Sequence, residues 1–242
     1  MQFYFIRHAQ SANNHLWDTT GSSTGRSEDP ELTEVGRRQA EHLAQFLAQT
    51  NSTIPVRGTD YQNVQGFGIT HVYSSLMVRA AATGTAVAHS LGLKLEGMED
   101  LHEWGGIYLQ DEATGEKNGL PGKTRSYFAH HYPHMVLPHT VDEAGWWKSR
   151  PHEEEIDCIA RGERAWNELV QRHGNTNDHV AVITHGAFFN VLMRTIFKMQ
   201  MSFENFWLQM NNTAITRIDL EANQAILCYV NRIDHIPKEL IT

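Results

Sequence analysis

The sequence predicts a three-layer α/β/α sandwich on a mainly parallel sheet. Three observations point there. Short apolar runs of strand length alternate with longer segments whose apolar residues recur at helical spacing. Glycine, serine and asparagine mark the places where one element gives way to the next. Two strongly apolar runs, one opening the chain and one near residue 180, each stop at a histidine. Open sheets of this class bind ligands outside the carboxyl ends of their strands. The residues at those stops are therefore the first candidates for chemistry.

The elements come in this order. Gln2-Phe3-Tyr4-Phe5-Ile6 is aromatic and β-branched and reads as a buried strand, ending at Arg7-His8-Ala9-Gln10-Ser11. Residues 12–30, rich in Asn, Ser, Thr and Gly, have loop composition. Thr33 is set to cap a helix with Glu34 in its first turn, and Val35, Ala40, Leu43, Ala44 and Leu47 form its apolar face. Residues 50–68 read as a further loop. Ile69-Thr70-His71-Val72-Tyr73 is a second strand, and Ser74-Ser75 can cap the next helix. That helix carries Met77, Ala80, Ala81, Val87, Ala88 and Leu91, has Arg79 near its first turn, and stops at Gly92. Leu93-Lys94-Leu95 is a short third strand, followed by Leu101-His102-Glu103-Trp104-Gly105-Gly106.

Residues 107–152 show no clean period. They hold several glycines, prolines and histidines and the pair Trp146-Trp147, and read as an insertion with short helices of its own. Aromatic residues in such a segment must be buried somewhere, under a cap over a site or in a structural flap. A helix from about 153 to 173 comes next, with Ile156, Ile159, Ala160, Trp166, Leu169 and Val170 as its buried stripe. The run 179–184 is a buried strand ending at His185-Gly186, and a helix runs from about 187 to 197. Two last strands, near 213–220 and 224–229, form an antiparallel hairpin across Glu221-Ala222-Asn223.

Composition narrows the function. The chain has 242 residues, 40% of them hydrophobic, enough for one well-filled domain over 1–242 with a cap-like insertion at about 107–152. A formal net charge of -8 argues against nucleic acid and against an anionic membrane surface, while a local cluster of Arg and His still suits a small anion. The two cysteines, Cys158 and Cys228, make neither a disulfide framework nor a zinc spacing. The N-terminus lacks a signal-peptide pattern, and no apolar run spans a bilayer, so a cytoplasmic location is expected. The 15 histidines form no compact ligand pattern, so no metal and no cofactor are expected.

Two strands ending in His8 and His185, with Arg7 and Arg79 just past strand ends, gather four cationic or hydrogen-bonding groups at one sheet edge. Arginine forks match phosphate oxygens, and helix N-termini at the same edge add N–H donors. A phosphoryl group is the natural guest. An imidazole can take it as a nucleophile, and a carboxylic acid such as Glu103 can protonate the leaving alcohol. Glu96, Glu99 and Asp100 lie nearby as alternatives.

Five segments in order carry a resemblance. Arg7-His8-Ala9-Gln10-Ser11, the Leu32-Thr33-Glu34-Val35-Gly36-Arg37-Arg38-Gln39-Ala40 helix start, Ser74-Ser75-Leu76-Met77-Val78-Arg79-Ala80, Leu101-His102-Glu103 before Gly105-Gly106, and Thr184-His185-Gly186 resemble the signature pieces of the histidine phosphatase superfamily, the phosphoglycerate mutase-like proteins. The resemblance implies that fold. It implies His8 as the phosphorylated nucleophile and Glu103 as general acid and base. It implies Arg7, Arg79 and His185 as the clamp on the phosphoryl oxygens. Asn14 matches a family asparagine that often contacts phosphate, with Ser11 beside it and Asn13 adjacent.

Two departures stand out. Ala9 replaces the usual glycine after the nucleophile, so its φ should be negative or a methyl tolerated. The segment after Glu103 does not resemble the Asn-Glu-Arg-His-Tyr-Gly stretch of cofactor-dependent phosphoglycerate mutases, which favours a phosphatase. The expectation is a metal-independent phosphomonoester hydrolase acting through phospho-His8 on a small phosphorylated metabolite with some apolar or aromatic surface. The alternatives are a cofactor-dependent phosphomutase, an idle module that binds phospho-ligands or proteins, and a metal-dependent hydrolase. The family includes monomers, dimers and tetramers, and a homodimer fits among them.

Overall fold

A seven-stranded sheet forms the frame of the structure, a computed structural model that describes residues 1–51, 53–199, 205–222 and 224–242. Strands β1 (Gln2–Arg7), β2 (His71–Ser74), β3 (Leu95–Gly97) and β7 (His179–Thr184) run parallel at its centre. Between them in sequence lie β4 (Tyr108–Gln110), β5 (Lys117–Gly119) and β6 (Met135–Val136). The chain ends with β8 (Ile215–Glu221) and β9 (Gln224–Arg232). The sheet order is β6-β3-β2-β7-β1-β8-β9, with β8 and β9 antiparallel, while β4 and β5 form a separate ribbon.

The described helices are α1 (Ala12–Thr20), α2 (Glu34–Ala48), α3 (Val78–Leu91), α4 (Arg125–His131), α5 (Glu155–His173) and α6 (Gly186–Phe197). The two-residue period of β1 and β7 sorts side chains to two cores. Phe3, Phe5, Val180 and Val182 pack with Cys158, Leu169 and Phe188 of α5 and α6. Tyr4, Ile6, Ala181 and Ile183 pack with Leu43, Leu47, Ala80 and Val87 of α2 and α3. This is the three-layer sandwich the sequence predicts, with a mainly parallel sheet.

Several sequence readings are corrected. Residues 12–20 are helix α1 rather than loop. Ser11 and Asn14 form a reciprocal capping box that outweighs the loop-like composition. The second strand begins at His71 and the third at Leu95, each two residues later than the apolar pattern suggests. Helix α3 is not capped by Ser74 or Ser75: its N-cap is Met77, and the Val78 N–H donates to the buried carboxylate of Asp29 at 3.0 Å. In α5, Ile156 and Ala160 are exposed, and the buried face runs through Cys158, Arg161, Gly162, Ala165 and Leu169. Gly162 lets α6 come close, since a Cβ there would lie 2.8 Å from Val191 Cγ1. Asn223 of the expected hairpin turn and Ser52 of the 50–68 loop lie outside the described residues.

Residues 107–152 hold β4, β5, α4 and β6 and wrap the start of α3. Ile107, Phe128, Val141, Trp146 and Trp147 bury against Leu76, Met77 and Ala81, so both tryptophans serve packing. The segment is more than a cap, because β6 pairs with β3 and extends the main sheet. Among the described residues, no helix is long and apolar enough to cross a membrane.

Candidate active site

The carboxyl ends of β1 and β7 bring His8 and His185 together, with ring centroids 5.0 Å apart. The turn after β1 is braced on every side. The His8 N–H donates to Thr184 O at 2.9 Å, and Asn212 Nδ2 donates to His8 O at 2.8 Å. The Ala9 N–H donates to Thr83 Oγ1 at 3.1 Å, and the Gln10 N–H to Gln39 Oε1 at 2.8 Å. Helix α2 can approach this turn only through glycine: a Cβ on Gly36 would sit 2.0 Å from Gln10 O. Ala9 is absent from the residues with positive φ and is buried beside Leu32 and Ala40. The position therefore accommodates the methyl group that the family's usual glycine lacks.

His8 is buried, and its Nδ1–H donates to its neighbour Ala9 O at 2.7 Å. That leaves the Nε2 lone pair to accept from Arg79 Nε at 3.1 Å. Burial, then the charges of Arg79 and Arg7, hold His8 well below the usual imidazole range. It is a neutral imidazole with its free lone pair turned to the cations, the form a nucleophile needs. His185 is fully buried and also well below its usual range, through burial and then Arg79. Both of its ring nitrogens are unpartnered. Buried polar atoms in that state are rare and concentrate at sites of chemistry.

Arg7 reaches Met210 O through Nη1 while its Nε stays unpartnered beside Gly186. Arg79 is buried, with Nη1 3.8 Å from Asp29 Oδ1. Asp29 thus faces both the arginine and the N-terminus of α3, yet burial still pushes its carboxyl up to about 7. A lone aspartate before Pro30 carries no sequence signal for this role.

Glu103 sits on the N-terminus of α6. Its carboxylate accepts from the Ala187 N–H at 3.3 Å, the Phe188 N–H at 2.9 Å and the Trp104 N–H at 2.9 Å. The loop that carries it is held from below. Arg161 donates to Glu153 at 2.7 and 2.6 Å and to the carbonyls of Asp100 and His102 at 2.8 and 2.9 Å. Thr184 Oγ1 adds a bond to Leu101 O at 2.9 Å. Sequence reasoning missed Arg161, although a cation three residues after Cys158 and four before Ala165 lies on one helix face with them. Glu96, Glu99 and Asp100 instead pair with Arg172, Arg150 and Arg164.

A pocket of about 190 Å³ collects these groups: Arg7, His8, Arg79 and Glu103, with Ser11, Asn14, Trp17 and Arg26. Ser11 and Asn14 reach it while committed to the α1 cap, with the Ser11 N–H donating to Asn14 Oδ1 at 3.1 Å. Asn13, in the first turn of α1, is bonded to Ser27 in both directions. Arg26 is a cation the sequence did not single out, held at the mouth by the Tyr108 hydroxyl at 2.9 Å. An adjoining pocket shares Arg7, Asn14, Trp17 and Glu103 and extends to Trp207 and Gln209.

The histidine phosphatase superfamily (branch 1) profile matches residues 3–56 and 61–232. The chain belongs to this superfamily. A relative in Hydrogenobacter thermophilus, named as a phosphoserine phosphatase, is 25% identical over 240 residues, 97% of each chain. One in Erwinia tasmaniensis, named as a phosphoglycerate mutase, is 25% identical over 228 residues, 90% of this chain and 85% of its own. Among solved structures, Entamoeba histolytica phosphoserine phosphatase in complex with 3-phosphoglyceric acid superposes with a TM-score of 0.59 at 19% identity, covering 97% of this chain and 98% of its own. The superfamily's phosphoglycerate mutase-like fold is thus the one described above.

Proposed function

We propose that this superfamily phosphatase hydrolyses a small phosphomonoester through a phosphohistidine on His8, without a metal. The observation that carries the reading is the pair of buried imidazoles, His8 and His185, set between two arginines, with Nε2 of His8 kept unprotonated by the bond from Nδ1 to Ala9. His8 Nε2 attacks phosphorus as Arg79 Nε moves its donation from the ring to a phosphoryl oxygen. Arg7 and His185 receive the other equatorial charge. The Glu103 carboxylate takes up a proton brought by the entering phosphomonoester and, as the P–O bond breaks, gives it to the leaving alcohol. The resulting carboxylate takes a proton from water, hydroxide attacks the phosphohistidine, and the P–N bond breaks to free inorganic phosphate and neutral His8. Asn14 and Ser11 stand at the pocket's edge to contact the phosphate.

Water must reach phospho-His8 for the second step. Trp17, at the mouth of the pocket, is 59% exposed, which suits hydrolysis better than a mutase's return of the phosphoryl group in a dry site. The bound phospho-compounds of the Entamoeba neighbours support a small phosphorylated metabolite as substrate class. The test is phosphate release from a panel of phosphomonoesters with chelator present. Chelator-resistant release is expected, and its ranking begins to name the substrate. Isomerised sugar-acid phosphates without release would establish the mutase instead. Silence in both assays would leave the idle binding module.

Glu103→Gln keeps one acceptor oxygen for the α6 amides but has no acidic proton to give. Release from alkyl phosphates should fall about 10²–10⁴-fold, the usual span for a lost general acid. Release from 4-nitrophenyl phosphate, whose leaving group needs no proton, should fall far less. Equal slowing of both substrates would remove Glu103 from the acid role.

A further inference from the structure

At the opposite end of the sheet from His8, three chain segments place two imidazoles and a carboxylate together. His71 opens β2, His173 closes α5, and Asp178 immediately precedes β7. One donor atom from each lies within 4.8 Å of the others. His173 Nδ1 is 2.9 Å from Asp178 Oδ2, and His71 Nδ1 is 3.9 Å from Asp178 Oδ1. The rings of His71 and His173 stand 4.6 Å apart at a tilt of 58°. Donors on a tetrahedral zinc, each about 2.0–2.1 Å from the ion, sit roughly 3.3 Å from one another. The two His–Asp spacings, to the two different carboxylate oxygens, lie on either side of that value, and side-chain rotation would draw one donor from each residue onto an ion.

Its outer contacts are of the kind that metal-binding histidines use. His173 is buried, and its Nε2 is 3.0 Å from the Tyr73 hydroxyl. With Nδ1 on a metal, Nε2 carries the hydrogen and donates it to that hydroxyl, which fixes the ring and its tautomer. The hydroxyl also accepts from Arg172 Nη1 at 3.4 Å, and Arg172 is itself compensated by Glu96 and Glu168. His71 is partly exposed, so an ion has a way in, and the Thr70 hydroxyl, 2.9 Å from its Nδ1, turns away to free that nitrogen.

We propose that His71, His173 and Asp178 form a second site on this chain, one that takes a late first-row divalent cation such as Zn²⁺, with a solvent ligand completing the shell. Two neutral imidazoles and one carboxylate suit such ions. Ca²⁺ and Mg²⁺ prefer sets made wholly of oxygen. The site is structural. It pins the start of β2 and the loop before β7 to the end of α5. Strand β7 spans six residues at about 3.3 Å each, so the ion lies about 20 Å from His185 and takes no part in phosphate chemistry.

The test uses the intact chain, stripped with chelator and titrated with ZnCl₂ by calorimetry, beside thermal melts. Wild type is expected to take one equivalent. Its melting temperature should rise by about 5–10 °C at a hundredfold excess over Kd. His71→Ala and Asp178→Asn should each weaken binding at least tenfold and cut the thermal shift at the same zinc concentration to about half or less. Both variants should release phosphate at the wild-type rate without metal, which also reports that they fold. Failure of wild type to take zinc overturns the proposal. So does wild-type affinity in either variant, which would place the ion elsewhere.

Discussion

Replacing His8 with alanine is expected to stop phosphate release almost completely, by a factor on the order of 10⁴ or more, as when a covalent nucleophile is removed from an enzyme whose remaining groups act as a unit. No neighbour can substitute. Arg7 and Arg79 are cations without a lone pair to offer, and the Glu103 carboxylate is occupied by two backbone N–H groups at the start of α6 and by that of Trp104. His185 is neutral and buried, but it sits a full 5.0 Å from His8 between ring centres, placed to flank the phosphoryl group rather than to attack it in line. The alanine chain should still fold, because the backbone of residue 8 keeps its bonds to Thr184 and Asn212. Wild type quenched in mid-turnover should yield an acid-labile, base-stable phosphoenzyme that the variant never forms. Full turnover by the alanine variant would sink the mechanism, and so would the absence of any such adduct from wild type.

Stability should fall steeply as pH drops below about 6.5. His8, His102 and His185 are each held well below the ordinary imidazole range, first by burial and then by arginine charges: Arg79 at His8 and His185, Arg161 at His102. In the unfolded chain they take up protons near pH 6.5, whereas the folded chain resists until much lower. Below 6.5 the unfolded state therefore binds more protons, and stability that is complete above that pH is lost as it falls. Asp29 works the other way. Its carboxyl, raised to about 7, is protonated first in the folded state and returns one proton's worth between pH 7 and its unfolded value. The balance is a net uptake of about two protons by the unfolded state, which weighs heavily against a total that for most domains is only about 5–15 kcal/mol. His235, lowered to about 4 mainly by burial, adds to the loss. Urea unfolding at pH 7.5, 6.5 and 5.5 measures this, and His185→Asn should remove that histidine's share of the slope, which grows toward pH 5.5 as the unfolded imidazole fills with protons. An unchanged unfolding midpoint over that range would contradict the buried, neutral imidazoles.

Much of this architecture can be read in the residues themselves. The strands β1 and β7 and the helices α2, α3 and α6 announce themselves through the period of their apolar residues, helped by the Thr33 cap of α2 and by Gly92 at the end of α3. The groups at the strand ends follow from topology, so His8, His185, Arg7, Arg79 and Glu103 could be named in advance; the structure lines one pocket with His8, Arg7, Arg79 and Glu103 and buries His185 beside His8. What escaped the sequence is polar structure inside apolar surroundings. Counting apolar residues on α5 turned its seam toward Ile156, whereas the true seam carries Arg161, buried because it holds the Glu103 loop through four acceptors. Asp29 was hidden for the same reason: its partners, Val78 and Arg79, are nearly fifty residues away. Helix α1 was obscured by its own capping residues, which look like loop when read by composition alone.

The bracing of the turn at residues 8–10 has a consequence for how the enzyme comes into being. Its four ties run to Gln39, Thr83, Thr184 and Asn212, so the shortest loop they close is 29 residues and the longest 204. Such distant closures cost chain entropy and come late on the route to the native state. The chain cannot hold His8 in place until the stretch around Asn212 has been made and has docked. Activity is expected to begin only at the last stage of assembly, and a partly folded chain should do no indiscriminate hydrolysis in the meantime.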